Sequence, residues 1–512
     1  MRAVALAVAA ATVVILMSVA ACVPDRRTLR ADEADGAADA SAVDASVDGG
    51  CEDPSGFGGR GCYRCPITPT TTSDQLLRAC TTSRFEVFDN AKRIKPFDPR
   101  MPTPPPPLDA GPSPPPFDAG VPPPDAGGDA GTSPPCPIGT RPNPVMLLGA
   151  TGFPLEAIAK GMGSHATIFY AERSSCEGVA SMFLNELKLS GDIVYFDNTD
   201  GKPIKCTLSE DHPADIASSG LFAQTCASQF NLPPANPVPA GFKDFLGPTN
   251  VTMFAVPTAS LQHAVSAEAA WKVYGFGDNS GVPPWDSEEL IFRRRPSSAN
   301  QQVVALTLGL PPTAFRGRDS NGSSNMLSAL KASSDPERTI GISSSEIVDT
   351  NRDEIRVLAY QHYNQPVAFY PDSDPASFDR RNVRDGHYFM WTPLHLFVRT
   401  NAVGDPVGAD PGRNAAVKEL TLVMASRQAP PVRSVDLLLG ALKNLGNVPP
   451  CAMRVARAKE GDPLKPFVPE ASCACAFEAV SPGAQPPECT RCANMSECTS
   501  GSRRTCSFGF CE

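Results

Sequence analysis

The chain has 512 residues, a formal net charge of −10 at pH 7 and 17 cysteines. Binding to nucleic acid or to acidic lipid needs a basic face, so this charge argues against both classes of partner. The length allows more than one domain once low-complexity stretches are discounted.

The N-terminal 21 residues have the pattern of a lipoprotein signal peptide. An apolar stretch at residues 3–18 is followed by Val19, Ala20 and Ala21, and then by Cys22. This stretch is shorter than the ~20 residues that a membrane-spanning helix needs. The small residues before Cys22 resemble a lipobox, so we expect cleavage there and a lipid on Cys22. The alternative is ordinary cleavage with Cys22 unmodified. The predicted location is the cell envelope, lipid-anchored to a membrane and facing the periplasm or exterior.

Three stretches of different composition follow the signal peptide. Residues 22–50 are rich in Ala, Asp, Ser and Gly and predict a disordered tether, because they offer little to bury. Residues 51–100 form a small module with four cysteines and a predicted helix at residues 74–79. Residues 101–135 are rich in Pro, Asp, Ala and Gly and predict an extended linker.

The cysteines indicate disulfides, because sixteen remain after Cys22 in a chain predicted to be exported. In the small module, Cys62 and Cys65 have redox-pair spacing but lack the flanking strand and long helix, so structural pairing is favoured. Residues 451–512 hold eight cysteines and no histidine, which favours four disulfides over zinc. Within residues 136–450, we expect a bridge between Cys206 and Cys226.

Residues 136–450 have the composition of a globular domain. Apolar runs that predict strands alternate with amphipathic stretches that predict helices, which is typical of an α/β fold with mixed or mainly parallel sheets. The stretch is long enough for two lobes. The predicted strands lie at residues 145–148, 166–170, 251–256 and 303–308, and the predicted helices at 155–162 and 180–189.

Three turns between a predicted strand and a predicted helix carry polar or glycine residues suited to an anion. The first contains Thr151, Gly152 and Phe153 before Pro154, where free N–H groups and the helix dipole would face a ligand. The second, residues 170–179, contains Ser174 and Ser175, and the third, residues 291–301, contains Arg294, Ser298 and Asn300. A guanidinium beside a helix N-terminus suits an oxyanion. The alternatives are a capped helix start for the first two turns and a solvated basic turn for the third.

Taken in order, these turns resemble motifs of the phosphate-binding lipoproteins of ABC importers, in the type 2 periplasmic binding protein family. The first turn is similar to Gly-Ala-Thr-Phe-Pro, and residues 170–179 are similar to Tyr-x-x-x-Gly-Ser-x-Gly-Gly-Val. Residues 214–220, which include Ser219, are similar to an Asp-Phe-Gly-Ala-Ser-Asp segment. Residues 294–300 are similar to Arg-x-Asp-x-Ser-Gly-Thr. The similarity covers roughly residues 143–400.

The resemblance implies two α/β lobes that close over a small oxyanion, phosphate first, and present it to an ABC permease for uptake or sensing. It implies that the chain enters the second lobe near Val256 and returns near Ile340. The ligand residues would be those of the three turns together with Ser219. Neither an enzyme nor a cofactor is implied, and the sequence has no nucleophile elbow or paired metal-ligand motif. Histidines such as His387 and His395 are interpreted as packed or surface groups.

Two departures from the family bear on the ligand. The family's two aspartates, which accept hydrogen bonds from protonated phosphate, match Gly220 and Pro296 here. Glu172 and Glu177, near the second turn, could replace an acceptor or repel an anion. The second hypothesis is therefore a non-transport surface or interaction lipoprotein that keeps the scaffold without the ligand.

Overall fold

The computed structural model describes residues 50–96, 133–184, 187–230, 232, 237–433, 435–480, 489–499 and 505–512. The predicted signal peptide, Cys22, nearly all of the tether and most of the linker lie outside these residues. Among the described residues, no helix combines the length and the apolar character needed to cross a membrane.

The N-terminal cysteine segment is built from short elements. Its helix at Ser73 begins with a capping box, in which Thr72 accepts from the backbone N–H of Gln75 and the Gln75 side chain accepts from Thr72. This helix confirms the one predicted at residues 74–79. The elements are β1 (Glu52–Asp53), α1 (Gly56–Gly59), β2 (Cys62–Tyr63), α2 (Ser73–Leu77), β3 (Phe85–Glu86) and α3 (Asn90–Arg93).

The first lobe begins with the order strand, helix, strand, helix and continues with three strands and a short helix. The predicted helix at residues 155–162 is confirmed by α4, whereas the helix predicted at 180–189 begins earlier, because Ser174 caps α5. The elements are β4 (Pro144–Gly149), α4 (Leu155–Met162), β5 (Thr167–Glu172), α5 (Ser175–Phe183), β6 (Asp192–Phe196), β7 (Pro203–Thr207), β8 (Ile216–Ser219) and α6 (Ala223–Cys226).

The chain enters the second lobe through the long strand β9 (Phe242–Pro257), and most of the strands that follow lie in this lobe. Its strands are β9 (Phe242–Pro257), β10 (Ala264–Ser266), β11 (Ile291–Arg293), β12 (Arg318–Asp319), β13 (Ile340–Ser344), β14 (Ile355–Val357), β15 (Ala359–Gln361) and β16 (Ala368–Phe369). Its helices are α7 (Ala267–Phe276), α8 (Ala299–Leu308), α9 (Ser323–Lys331), α10 (Ser345–Asp349) and α11 (Arg381–Asp385). The strand predicted at residues 303–308 is wrong, because this run lies within α8.

The chain then returns to the first lobe and ends in short elements. The returning strand is β17 (Trp391–Thr400), followed by β18 (Pro406–Val407), α12 (Asn414–Met424) and α13 (Val435–Asn444). The C-terminal elements are β19 (Val455–Ala456), β20 (Lys465–Pro466), α14 (Ala474–Ala479), β21 (Cys506–Ser507) and β22 (Phe510–Cys511).

One sheet runs through both lobes in the order β12-β11-β13-β9-β17-β8-β4-β5-β6-β7. Strands β4, β5 and β8 pair in parallel in the first lobe, as do β11, β12 and β13 in the second, so the sheet is mixed. Strands β9 and β17 cross between the lobes and pair antiparallel over most of their length. The α/β class and the two-lobed arrangement are therefore confirmed.

The crossing points differ from those expected. Strand β9 pairs with β17 as far as Val251 and with β13 from Thr252 onward, so the chain enters the second lobe a few residues before Val256. The expected return near Ile340 is wrong. Ile340 begins β13 inside the second lobe, and the return follows in β17 from Trp391.

The core has separate parts in the two lobes. Apolar clusters lie on both faces of the first-lobe sheet, while a larger cluster fills the second lobe. Both cysteine-rich segments add side chains to the second-lobe cluster, with Leu76, Leu77 and Phe88 from the N-terminal segment and Phe477 and Phe510 from the C-terminal one. Strand β3 also pairs with β16. Because a segment of this size cannot form its own core, the second lobe supplies one.

The described cysteines pair as disulfides, as the sequence predicted. The N-terminal segment has two bridges and the C-terminal segment has four; they are Cys51–Cys65, Cys62–Cys80, Cys451–Cys473, Cys475–Cys489, Cys492–Cys506 and Cys498–Cys511.

The predicted bridge between Cys206 and Cys226 is wrong. Cys206 is bonded to Cys136, because residues before the first lobe run beside β7 and the N–H of Cys136 donates to the carbonyl of Thr207. Cys226 is bonded to Cys176, because α5 packs against α6. The second of these bridges joins the start of α5 to the end of α6.

Candidate functional site

The first turn, residues 150–154, joins β4 to α4 at the crossing strands. Gly152 has φ +111°, a conformation that favours glycine, and Leu394 lies close enough to restrict a side chain there. Phe153 is buried against Gly247, whereas Thr151 is exposed. The carbonyl of Gly152 accepts a hydrogen bond from Asn447 Nδ2 at 2.7 Å. Thr151 is therefore accessible to solvent. The backbone of the turn is held by Asn447, a residue from the C-terminal part of the chain.

The second turn, between β5 and α5, is a capping box. The N–H of Glu177 donates to Ser174 Oγ at 3.3 Å, and the N–H of Ser174 donates to Glu177 Oε2 at 2.8 Å. Glu177 is therefore held in the cap and does not replace the missing acceptor. The helix that follows packs closely on the sheet, since a Cβ at Gly178 would lie 2.2 Å from the carbonyl oxygen of Ser218.

The end of β8 meets the second turn. The N–H of Gly220 donates to Ser175 Oγ at 3.0 Å, so Ser175 holds this strand end in place. Ser219 Oγ donates to the carbonyl of Leu221 and accepts from the N–H of the same residue. The hydroxyl of Ser219 is thus engaged locally.

The third turn brings the second lobe against the first. A Cβ at Gly220 would lie 3.4 Å from Ala299 Cβ and 3.4 Å from Ser175 Oγ. Val303, one turn further along α8, belongs to a core cluster of the first lobe. The end of β8, the second turn and the third turn therefore meet at the junction of the lobes, and an aspartate at position 220 would contact the methyl group of Ala299.

Arg294 follows β11 and is half-buried at this junction. Its Nη1 donates to Ser323 Oγ at 2.8 Å, while its N–H donates to Gln301 Oε1 at 3.0 Å. No described residue accepts a hydrogen bond from its Nε or Nη2. Burial lowers the pKa of Arg294, and the carboxylates of Glu346 and Asp319 oppose this shift. Two donors of the guanidinium thus remain for a ligand.

The other predicted residues of this turn have different roles. Ser298 precedes the first residue of α8, but its side chain makes no capping hydrogen bond. Asn300 Oδ1 accepts from Thr252 Oγ1 at 2.9 Å, which ties α8 to β9. The first N–H groups of an α-helix have no intrahelical acceptor, so those of α8 are available at this edge.

Glu346, at the start of α10, is a residue that the sequence analysis missed. Its Oε1 accepts from Ser344 Oγ at 3.2 Å. Burial raises the pKa of Glu346, Arg294 lowers it, and Glu172 raises it further. The site is therefore not uniformly positive, since one carboxylate from each lobe faces the same region as Arg294. The run of three serines at the end of β13 and the start of α10 repeats the strand-to-hydroxyl pattern and could have indicated Glu346.

Asn447 and Glu460 are further residues of the site that no local sequence pattern indicated. Asn447 Nδ2 donates to the first turn, and Glu460 accepts from the N–H of Phe222 and from Thr225 Oγ1. The predicted histidines are packed groups, as expected: His387 and His395 are both buried.

No protein-family model and no curated protein matches the chain. Among solved structures, it is similar to an ABC-type phosphate transport receptor from Vibrio cholerae, with 11% identity and a TM-score of 0.37 over 60% of this chain and 100% of that one. It is similar to a human phosphate binding apolipoprotein, with 12% identity and a TM-score of 0.38 over 59% and 90% of the two chains. It is also similar to the regulatory domain of MetR, a LysR family regulator from N. meningitidis, with 8% identity and a TM-score of 0.30 over 56% and 95%.

Proposed function

We propose that this protein is an extracytoplasmic solute-binding lipoprotein for a small oxyanion, phosphate first, and that it acts in ABC-type uptake or sensing without catalysis. The main support for this proposal is the environment of Arg294. Its Nε and Nη2 have no hydrogen-bond acceptor among the described residues, and the residue lies beside the N-terminus of α8. A guanidinium and helix N–H groups together suit an oxyanion. The predicted ligand residues are Thr151, Gly152, Phe153, Ser174, Ser175, Ser219, Arg294, Ser298 and Asn300.

The predicted ligand residues would have two different roles. Arg294, Ser298, Asn300 and Thr151 are the residues with groups left for a ligand, whereas Ser174, Ser175 and Ser219 are engaged in local hydrogen bonds. The second set would position the turns, and backbone N–H groups would complete the site.

A thermal-shift screen of the purified protein tests ligand binding directly. A ligand at 100 times its dissociation constant should stabilise the folded state by ~2.7 kcal/mol and raise the melting temperature. The panel is phosphate, sulfate, arsenate and selenate, with sodium chloride at equal ionic strength as the control. We expect a shift with at least one tetrahedral oxyanion above the chloride control. The absence of a shift throughout the panel would favour a function without a ligand.

A specific observation favours the second candidate, a surface or interaction lipoprotein. Gly220 and Ala299 lie close together at the junction of the lobes, where a Cβ added at Gly220 would be 3.4 Å from Ala299 Cβ and leave little room for a ligand group. Glu172 and Glu346 place negative charge near Arg294, which would oppose a dianion. In this alternative the lobes form a fixed scaffold, and the two cysteine-rich segments, packed on the second lobe, contact a partner.

The proposed lipid anchor is tested by cell fractionation of a Cys22→Ser variant. We expect the variant to move from the membrane fraction to the soluble one, since serine lacks the thiol that accepts the lipid. A Cys22→Ala variant should behave identically. Membrane association that persists in both variants would contradict the anchor.

A further inference from the structure

A segment near the C-terminus crosses from one lobe to the other. We call residues 445–467 the strap. It follows α13, and its end forms a hairpin in which β19 and β20 pair antiparallel. The disulfide Cys451–Cys473 joins the residues just before the hairpin to those that follow it. The hairpin and its loop, residues 457–464, therefore lie inside a covalently closed part of the chain.

The strap is attached to the second lobe by buried arginines. Arg380 Nε donates to the carbonyl of Gly446 at 2.9 Å, and Arg384 Nε donates to the carbonyl of Ala452 at 3.1 Å. The strap also donates to the second lobe, since Arg457 Nη2 donates to the carbonyl of Phe389 at 2.8 Å. The guanidinium of Arg457 also stacks on two aromatic rings that flank the start of β17, those of Phe389 and Trp391.

The same segment is attached to the first lobe at two separate places. Asn447 Nδ2 donates to the carbonyl of Gly152 in the first turn, and Asn447 Oδ1 accepts from Ser345 Oγ of the second lobe at 3.4 Å. At the loop of the hairpin, Glu460 accepts from the N–H of Phe222 at 2.8 Å and from Thr225 Oγ1 at 2.7 Å. Glu460 is only 1% exposed, so its hydrogen bonds are shielded from water.

Between these attachments the strap pairs with the crossing strand itself. Thr249 of β9 and Val448 exchange two backbone hydrogen bonds, at 2.7 and 3.0 Å. A hinge in this position would have to bend β9 near Val251, where the strand passes between the lobes. We call the junction of the lobes at the second and third turns the cleft. Its opening would therefore break contacts at Gly152, at Phe222 or at Thr249.

We propose that the strap is a conformational lock that holds the two lobes together, so that the cleft opens only after the strap releases the first lobe. The lock does not depend on a bound ligand, because its contacts are made within the chain. A solute that binds in the cleft would be retained and exchanged slowly. The strap thus controls access to the cleft from a part of the chain outside the turns that line it.

Hydrogen exchange of the full-length protein tests the lock, because it reports on backbone amides that the substituted residue does not contact. Glu460→Ala removes the loop contact with the first lobe, while Val448 lies elsewhere along the strap and Thr249 is its partner on β9. If the strap acts as one unit, the amides of Thr249 and Val448 should exchange at least about tenfold faster in the variant, equivalent to ~1.4 kcal/mol. The radius of gyration from X-ray scattering should also increase.

Two further variants keep the test decisive. Thr225→Val removes one partner of Glu460 from the first-lobe side and should accelerate the same amides to a smaller extent. Glu470→Ala, an exposed glutamate beyond the hairpin, is the matched control and should leave exchange unchanged. Acceleration confined to Phe222 and Thr225, or no acceleration at all in Glu460→Ala, would overturn the proposal, because the loop would then be a local attachment only.

Discussion

Replacing Arg294 by alanine is expected to weaken oxyanion binding at least about a hundredfold, which corresponds to roughly 2.7 kcal/mol. The physical reason is that Nε and Nη2 can donate two charge-assisted hydrogen bonds to one anion, and each contributes about 1.5 to 3 kcal/mol. The half-buried position of Arg294 limits competition from water. Isothermal titration calorimetry against the best anion from the thermal-shift screen measures the loss.

Its neighbours in the same run provide the controls. Arg295 is exposed, so Arg295→Ala should change affinity little, because an exposed charge acts through screened solvent. Arg293 Nε donates to the carbonyl of Gly317 at 3.1 Å, and its Nη1 lies 3.5 Å from Asp319 Oδ2. Arg293→Ala should therefore affect stability more than binding. Equal small losses of affinity in all three variants would mean that the arginine run is a solvated turn and that Arg294 does not contact the ligand.

Replacing Arg380 by methionine is expected to destabilise the protein by about 3 to 5 kcal/mol, because it removes one of the two arginines that pair with the buried carboxylates of Asp349 and Asp372. Arg380 is 1% exposed. Its Nη1 lies 2.6 Å from Asp372 Oδ2, its Nη2 pairs with Asp349, and its Nε holds the strap through Gly446. Burial raises the pKa of Asp372, while Arg380 and Arg352 lower it, so the substitution removes one of two compensating charges.

The free energy of unfolding, measured by denaturant titration at constant pH, quantifies this effect. Lys418→Met is the matched control, since Lys418 pairs with Asp405 at 2.8 Å but both side chains are more than 40% exposed. Exposed pairs contribute about 0 to 1 kcal/mol, so this variant should stay close to the wild type. A loss below about 1 kcal/mol for Arg380→Met would contradict the role given to the buried network.

The local parts of the fold could be predicted from the sequence, because local signals determine them. Helix α4 has a regular apolar spacing and begins directly after Pro154, and the predicted limits agree with the structure. The prediction of a strand at residues 303–308 was wrong, because α8 lies between the two lobes and is apolar on several sides. Such a run has no helical periodicity to separate it from a buried strand.

The parts that depend on distant contacts could not be predicted. The disulfide partners of Cys206 and Cys226 follow from how β7 and α6 pack, which cysteine spacing alone does not encode. Asn447 reaches the first turn across a sequence separation of 295 residues, and Glu460 reaches Phe222 across 238. The three turns were recognisable because each combines a strand end with a helix start, whereas the strap has no comparable local pattern.

Anomalous diffraction from crystals of the protein grown with selenate or arsenate tests the proposed oxyanion site most directly. We expect one strong anomalous peak at the junction of the lobes, with the anion oxygens at about 2.7–2.9 Å from the guanidinium nitrogens of Arg294. The N–H groups of the first turn of α8 should complete its coordination. An ordered cleft with no peak at millimolar anion, or a peak only at a different place on the molecule, would contradict it.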